Sequence, residues 1–282
     1  MKGRFLALIA VLIGLLVGLG CASKEEPLVF IFTPGPGQEL AEIEELYGDA
    51  VLAVSEQIGQ SIELKVSTSN AGSVEALCMG QADGGRFGPF AYILAEQQCE
   101  VFPVVREVID GKGSYTSVII GKPGIWEQPF VATQLVGKQV ALVDPGSTSG
   151  YLTFITYLAE NDMDLEDLGA YYFTEGHPVA IEAVINGAAD VAAVASMRLL
   201  RAEEAGEAVE GENYEVLWVS PEVTLSPWIV SAESGIDVDE LRAAFIAVPP
   251  EAMGTSSVEE FISATAPEYD FIRSMAKLKG DE

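Results

Sequence analysis

Along most of the chain, short unbroken apolar runs alternate with longer stretches of helical period. Leu28-Val-Phe-Ile-Phe32 and Val140-Ala-Leu-Val143 are two such runs. They are too short for helices and rich in branched or aromatic side chains, so they predict strands covered on both faces. Each leads into a Pro-Gly loop, Thr33-Pro34-Gly35 in one case and Asp144-Pro145-Gly146 in the other, and then into a helical pattern. A second pair superimposes at an offset of 107 residues, Val74-Glu-Ala-Leu-Cys-Met-Gly80-Gln-Ala82-Asp83 on Ile181-Glu-Ala-Val-Ile-Asn-Gly187-Ala-Ala189-Asp190. Both predict the last turns of a helix, a glycine stop suited to a left-handed backbone, and a buried strand. Two matches in the same order predict two similar α/β units.

Two extended stretches are placed to connect them. Tyr115-Thr-Ser-Val-Ile-Ile-Gly121 leads from the first unit to the second, and Val216 to Pro221 through Pro227-Trp-Ile-Val230 leads back. The tail from Val238 to Lys279 predicts helices packed on the first unit. The expected fold is α/β with two Rossmann-like lobes, residues 28–118 with 219–282 and residues 119–218, joined by two crossover strands. A cleft between such lobes is a favoured ligand site.

The N-terminus lies outside that pattern. Lys2 and Arg4 precede the apolar run Phe5 to Leu19, which is short for a membrane span and has the make-up of a signal-peptide core. Residues 1–20 are expected to be a signal peptide and residues 21–27 a lipidated tether, with Cys21 the lipidation site. Gly18 stands where a lipoprotein cleavage box usually has Leu, so an ordinary secretory signal is the alternative. Export places Cys78 and Cys99 in an oxidising compartment, which permits a disulfide and leaves two buried thiols as the other outcome. The formal charge of −28 comes from 15 basic and 43 acidic residues, the acidic ones spread along the chain. Such a surface repels nucleic acid and anionic lipid, which excludes nucleic acid as a partner and leaves the lipid anchor as the only expected link to a membrane.

Between Val143 and the next helical pattern lies Asp144-Pro145-Gly146-Ser147-Thr148-Ser149-Gly150. One hydroxyl suffices to cap a helix. Three in a row, between glycines that let the backbone approach a ligand, predict that Ser147, Thr148 and Ser149 cradle an anion with the unpaired N–H groups of the helix mouth. His177, the one histidine, opens the helical pattern that leads to the second repeat segment, and Asn70 holds the matching place in the first unit. Both are expected to face the cleft. In Gly84-Gly-Arg86-Phe-Gly88-Pro-Phe-Ala-Tyr92, the Tyr92 hydroxyl is expected to enter the cleft. Arg86 has the fork to hold an oxyanion, but a surface ion pair is the stronger expectation in so acidic a chain. Thr33 and Ser226 are weaker candidates. Gly146-Ser-Thr-Ser-Gly150 has Thr148 where a nucleophile elbow needs its serine, and it lacks the Gly-Lys ending of a P-loop. A single histidine and the spacing of Cys78 and Cys99 make no zinc site. No cofactor or metal is implied, and binding is expected rather than catalysis.

Five stretches, GQADGGRFGPFAYILA, YTSVII, DPGSTSGYL, EGHPVAIEAVINGAADVAAV and LWVSPEVTLSPWIV, resemble the solute-binding lipoproteins of phosphonate, phosphite and phosphate ABC importers. They run in family order across nearly all of the chain beyond the leader. The resemblance implies a two-crossover periplasmic-binding-protein fold of type II that closes on its ligand by a hinge, and ABC permease subunits as partners. It also implies that Ser147, Thr148 and Ser149 donate to phosphoryl oxygens, and that the family's histidine and cleft tyrosine fall on His177 and Tyr92. A second family tyrosine falls on Asn70, a departure. The acidic residues that hold an ammonium tail in aminoalkyl-phosphonate binders fall on Met197 and Ser226, which cannot neutralise an amine. The expected ligand is therefore a small phosphorus oxyanion such as phosphite, phosphate or methylphosphonate. Another anion (a sulfonate or carboxylate), a ligand-presenting sensor module, and an enzyme on the same two-lobe fold are the alternatives.

Overall fold

The computed structural model describes residues 26–33, 40–254 and 257–280. The leader, Cys21 and the Pro-Gly loop after Thr33 lie outside these residues. The chain starts with strand β1 (Leu28–Phe32), helix α1 (Leu40–Ile58), β2 (Ile62–Val66), α2 (Asn70–Cys78), β3 (Gly84–Arg86), α3 (Pro89–Glu96) and β4 (Val101–Ile109). A short β5 (Ser114–Tyr115) and β6 (Ser117–Gly121) follow. Next come β7 (Gln139–Leu142), a π-helical turn (Thr148–Leu152) running into α4 (Thr153–Ala159), β8 (Ala170–Phe173), α5 (His177–Ile185), β9 (Val191–Ala195) and α6 (Ser196–Glu204). The chain returns through β10 (Glu215–Val219), β11 (Val223–Thr224) and β12 (Pro227–Ser231), and ends with α7 (Val238–Ile246), β13 (Val258–Ser263) and α8 (Asp270–Gly280).

These elements build two sheets of the same plan. One runs β2-β1-β3-β12-β4 with β13 added at the edge, and the other runs β8-β7-β9-β6-β10. In each, three parallel strands meet a fourth, antiparallel strand that has arrived from the other lobe, and a fifth pairs antiparallel with that one. The unbroken apolar strands lie where both sheet faces are covered, and all five residues of β6, β9 and β12 are buried. The repeat is visible at atomic detail. Helices α2 and α5 each have nine residues, open on Asn70 and His177, and stop before Gly80 and Gly187 with φ of 66 and 74°.

The first crossover bends between Tyr115 and Ser117. Tyr115 pairs with Val223 in a two-stranded antiparallel ribbon, whereas Ser117–Gly121 already belongs to the second sheet. Both connections between the lobes thus run side by side through β5 and β11. The tail departs from the helical expectation, because β13 pairs antiparallel with β4. Helix α8 does not serve the first lobe alone. Its Ile272 and Met275 share one hydrophobic core with Phe90 and Ile93 of α3 and with Phe154 and Leu158 of α4 in the second lobe. Cys78 and Cys99 are joined in a disulfide with Cα atoms 5.5 Å apart, tying the end of α2 to the segment after α3.

Candidate functional site

Both sheets direct the carboxyl ends of their parallel strands, and the helix mouths that follow, towards a cleft of about 370 Å³. Ser147, Thr148, Ser149, His177, Asn70, Thr33, Arg86 and Ser226 all line it, so one surface gathers eight of the nine predicted contact residues from positions as far apart as 33 and 226.

Tyr92 is the exception. It lies one helical turn beyond the Gly88-Pro89 mouth of α3, and that spacing turns its side chain away from the cleft. It is fully buried, edge-on to Tyr269 at 5.1 Å, and its hydroxyl donates to Glu96 Oε1 at 2.8 Å. Arg273 holds the same carboxylate from α8. The phenol that does reach the cleft is Tyr115 in the crossover ribbon. Burial raises its pKa, while side-chain hydrogen bonds with Ser149 and Thr148 oppose the rise. Nothing in the sequence distinguishes Tyr115 from a residue of a plain strand. Its role arises from the bend at Thr116.

The three hydroxyls divide their work. Ser147 is the cap, its Oγ accepting from Gly150 N at 3.0 Å. Thr148 Oγ1 accepts from Phe90 N of α3 at 2.9 Å, a contact made across the cleft to the other lobe. Ser149 lies against Tyr115, and its carbonyl accepts from Ser117 Oγ at 2.7 Å. The helix begins with a wide turn in which Leu152 N reaches Ser147 O at 3.0 Å, the type of local unwinding that is common at functional sites. Gly150 N is taken by the cap, and the amides before it have no carbonyl of their own helix behind them. The flanking glycines serve the protein's own packing rather than a ligand. A Cβ at Gly146 would stand 2.6 Å from Asn70 Cβ in the other lobe, and one at Gly150 would stand 2.3 Å from Val143.

Asn70 and His177 occupy matching helix mouths with different partners. Asn70 Nδ2 donates to Asp144 Oδ1 at 2.8 Å, which links α2 of the first lobe to the loop after β7. His177 Nδ1 accepts from Ala195 N at 3.2 Å. Burial, and then the charge of Arg198, lower its pKa to about 3. The ring is therefore neutral, and with Nδ1 occupied as an acceptor its proton sits on Nε2, the remaining donor.

Arg86 is committed elsewhere. Its fork grips Glu107 with Nε–Oε1 at 2.6 Å and Nη2–Oε2 at 2.7 Å. Glu107 is fully buried and also accepts from Trp228 Nε1 at 3.3 Å, so this is an internal ion pair and not the surface pair the acidic composition suggested. Thr33 is hydrogen-bonded to Ser73. Ser226 lines the cleft, as do Met197 and Arg198. Hydroxyls, amides, an imidazole N–H and a guanidinium line the cleft as donors, together with the carboxylates of Glu42, Asp144 and Glu175.

Two lobes of one plan around such a cleft define a two-lobe ligand-binding protein. The family described as "ABC transporter, phosphonate, periplasmic substrate-binding protein" matches residues 32–269, and the chain belongs to that family. A curated relative, the phosphate-import protein PhnD of Mycolicibacterium smegmatis, is 27% identical over 171 residues, which cover 55% of this chain and 51% of the relative. The chain thus spans about half the length of that relative. PhnD1 of Prochlorococcus marinus, solved in complex with methylphosphonate, superimposes with a TM-score of 0.75 at 16% identity, covering 91% of this chain and all of that one. A binding-protein component of an ABC phosphonate transporter from Pseudomonas aeruginosa gives a TM-score of 0.75 at 19% identity, covering 90% of this chain and 87% of that one. At these identities the two structures speak for the fold.

Proposed function

We propose that the protein captures a small phosphorus oxyanion (phosphate, phosphite or methylphosphonate) in the inter-lobe cleft and delivers it to the permease of an ABC importer. The observation that carries this reading is the helix mouth Ser147–Ser149, set in the same cleft as the neutral His177. The amides, the hydroxyls and the imidazole Nε2–H can meet several oxygens of a tetrahedral anion. The protein acts by binding and release, not by turnover. A carboxylate that would hold an ammonium tail is missing from positions 197 and 226, where Met197 and Ser226 stand. Aminoalkyl phosphonates are accordingly poor ligands. Closure turns on the paired β5 and β11 segments and dries the anion's surroundings, which strengthens its hydrogen bonds. Cys21 carries the lipid that keeps the protein at the membrane surface, and a Cys21→Ser variant is expected in the soluble fraction.

Calorimetric titration with phosphate, phosphite, methylphosphonate and 2-aminoethylphosphonate tests the reading. Binding of at least one of the first three, tighter than the fourth, is expected. Binding of none of them overturns it.

A further inference from the structure

Seven arginines occur in the chain, and six lie among the described residues. Five of those six have partners. Arg86 holds Glu107, Arg106 holds Glu268, Arg242 holds Asp239, Arg273 holds Glu96, and Arg201 donates to Ser257 Oγ at 3.2 Å. Arg198 has no hydrogen bond and no ion pair among the described residues, in a chain with 43 acidic side chains to choose from. It is the third residue of α6, partly buried, and it lines the cleft with His177 and Thr148.

Its surroundings explain why a cation there wants a ligand. Arg201 on the same helix and Arg86 on β3 repel it, while Glu42 and Tyr47 on α1 act in the opposite sense. His177 on α5, kept neutral, adds no charge. Arg86 brings its own buried carboxylate, so its charge is already answered. Among the described residues, Arg198 is thus the cationic side chain of the cleft with no hydrogen-bonded or ion-paired partner, in a wall that also holds the carboxylates of Glu42, Asp144 and Glu175. Hydroxyls, amides and an imidazole N–H bind an oxyanion by shape and hydrogen bonding, and they distinguish one negative charge from two only weakly. A desolvated guanidinium distinguishes them strongly, because its attraction scales with the ligand's charge.

We propose that Arg198 is the charge-selecting residue of this cleft, making it a site for doubly charged phosphoryl groups over singly charged isosteres of the same shape. The inference rests on the oxyanion reading above and adds the charge class of the ligand. Met197, its neighbour, lies where amine-binding relatives are expected to have a carboxylate, so the same wall that would attract an ammonium tail here repels one.

The test compares methylphosphonate with methanesulfonate by calorimetry at about pH 8.5, where the first carries two negative charges and the second one. Wild-type protein is expected to prefer methylphosphonate by about 100-fold. Arg198→Gln should weaken methylphosphonate by about 100-fold and methanesulfonate by only about tenfold, flattening the preference, while Arg198→Lys should keep most of it. Ligand-free Arg198→Gln should melt at the wild-type temperature or above, because it removes an unpaired cation from between two others. The proposal is overturned if Arg198→Gln binds methylphosphonate within about threefold of wild type, keeps the preference, or melts lower without ligand. Wild-type protein that binds neither compound, nor phosphate, overturns the oxyanion reading itself, and this differs from the case in which the ligand binds and Arg198 proves silent.

Discussion

Helices α2 and α5 are the same element used twice. Each has nine residues, follows a strand of its own sheet, opens on a polar residue at the cleft and stops at a left-handed glycine. Their ends differ. At the mouth of α2, Asn70 spends its amide on Asp144 of the opposite lobe. At the mouth of α5, His177 turns its acceptor nitrogen inward to Ala195 and keeps a donor for the cleft. At the far end α2 finishes in Cys78, stapled to Cys99, where α5 finishes in Ile185 with packing alone. A repeated scaffold thus commits one copy to a contact between the lobes and leaves the other, on the reading proposed above, to the ligand. The assignment lies in single side chains, because the backbone of the two copies is common property.

Each half of that comparison can be broken separately. The largest effect on stability is expected from the staple. A bridge across a separation of 21 residues should contribute about 3 kcal/mol by restricting the unfolded chain. The Cys78→Ala/Cys99→Ala double variant should lose that much in denaturant titration, with ligand affinity changed by less than about threefold. Equal loss of affinity would show that the staple shapes the cleft. His177→Ala should weaken ligand binding by about 100-fold, the cost of one donor to a charged oxygen in a dry site.

Asn70 and Gly146 test the other half. Gly146→Ala sets a methyl against Asn70 and should hinder closure, weakening binding by about tenfold, whereas Asn70→Gly added to it makes room and should recover part of that loss. Asn70→Ala alone should raise the radius of gyration of the ligand-free protein in small-angle scattering, because an inter-lobe hydrogen bond is gone. No recovery in the double variant would remove the steric account.

The smallest expected effect is the pH dependence of the ligand-free protein. The unfolded chain protonates His177 near its ordinary value of 6.5, and the folded chain only at about 3. Between these values the unfolded state binds the extra proton, so stability falls as pH drops below 6.5 and is insensitive to this group above it. The ring is partly open to the cleft, so the slope should be shallow, about 0.5 kcal/mol per pH unit or less. His177→Gln should remove that component, and an unchanged slope would assign it to the carboxylates.

Much of the architecture was legible because its signals are local. Apolar runs of strand length, glycine stops and an offset of 107 residues report on each unit without reference to the other. The Ser-Thr-Ser run also announced itself, having more hydroxyls than a cap needs. Tyr92 was misplaced for a reason that is itself structural, since a box motif says which helix carries a residue and not which face it occupies against α8. Arg86 was placed in an ion pair, but Glu107 lies on a strand of distant sequence and is invisible as its partner.

The two α/β units, the order of their strands and helices up to the tail, and a helix mouth expected to suit an anion could be read from the chain by itself, because periodicity, capping and turn chemistry act over a few residues. The tertiary structure alone decided that Thr148 answers Phe90 across the cleft, that Tyr115 enters the site at a bend, that Gly146 exists to admit Asn70, and that Arg198 has no partner among the described residues. These are relations between segments separated by more than 30 residues, and only the packing of one lobe on the other brings them within reach.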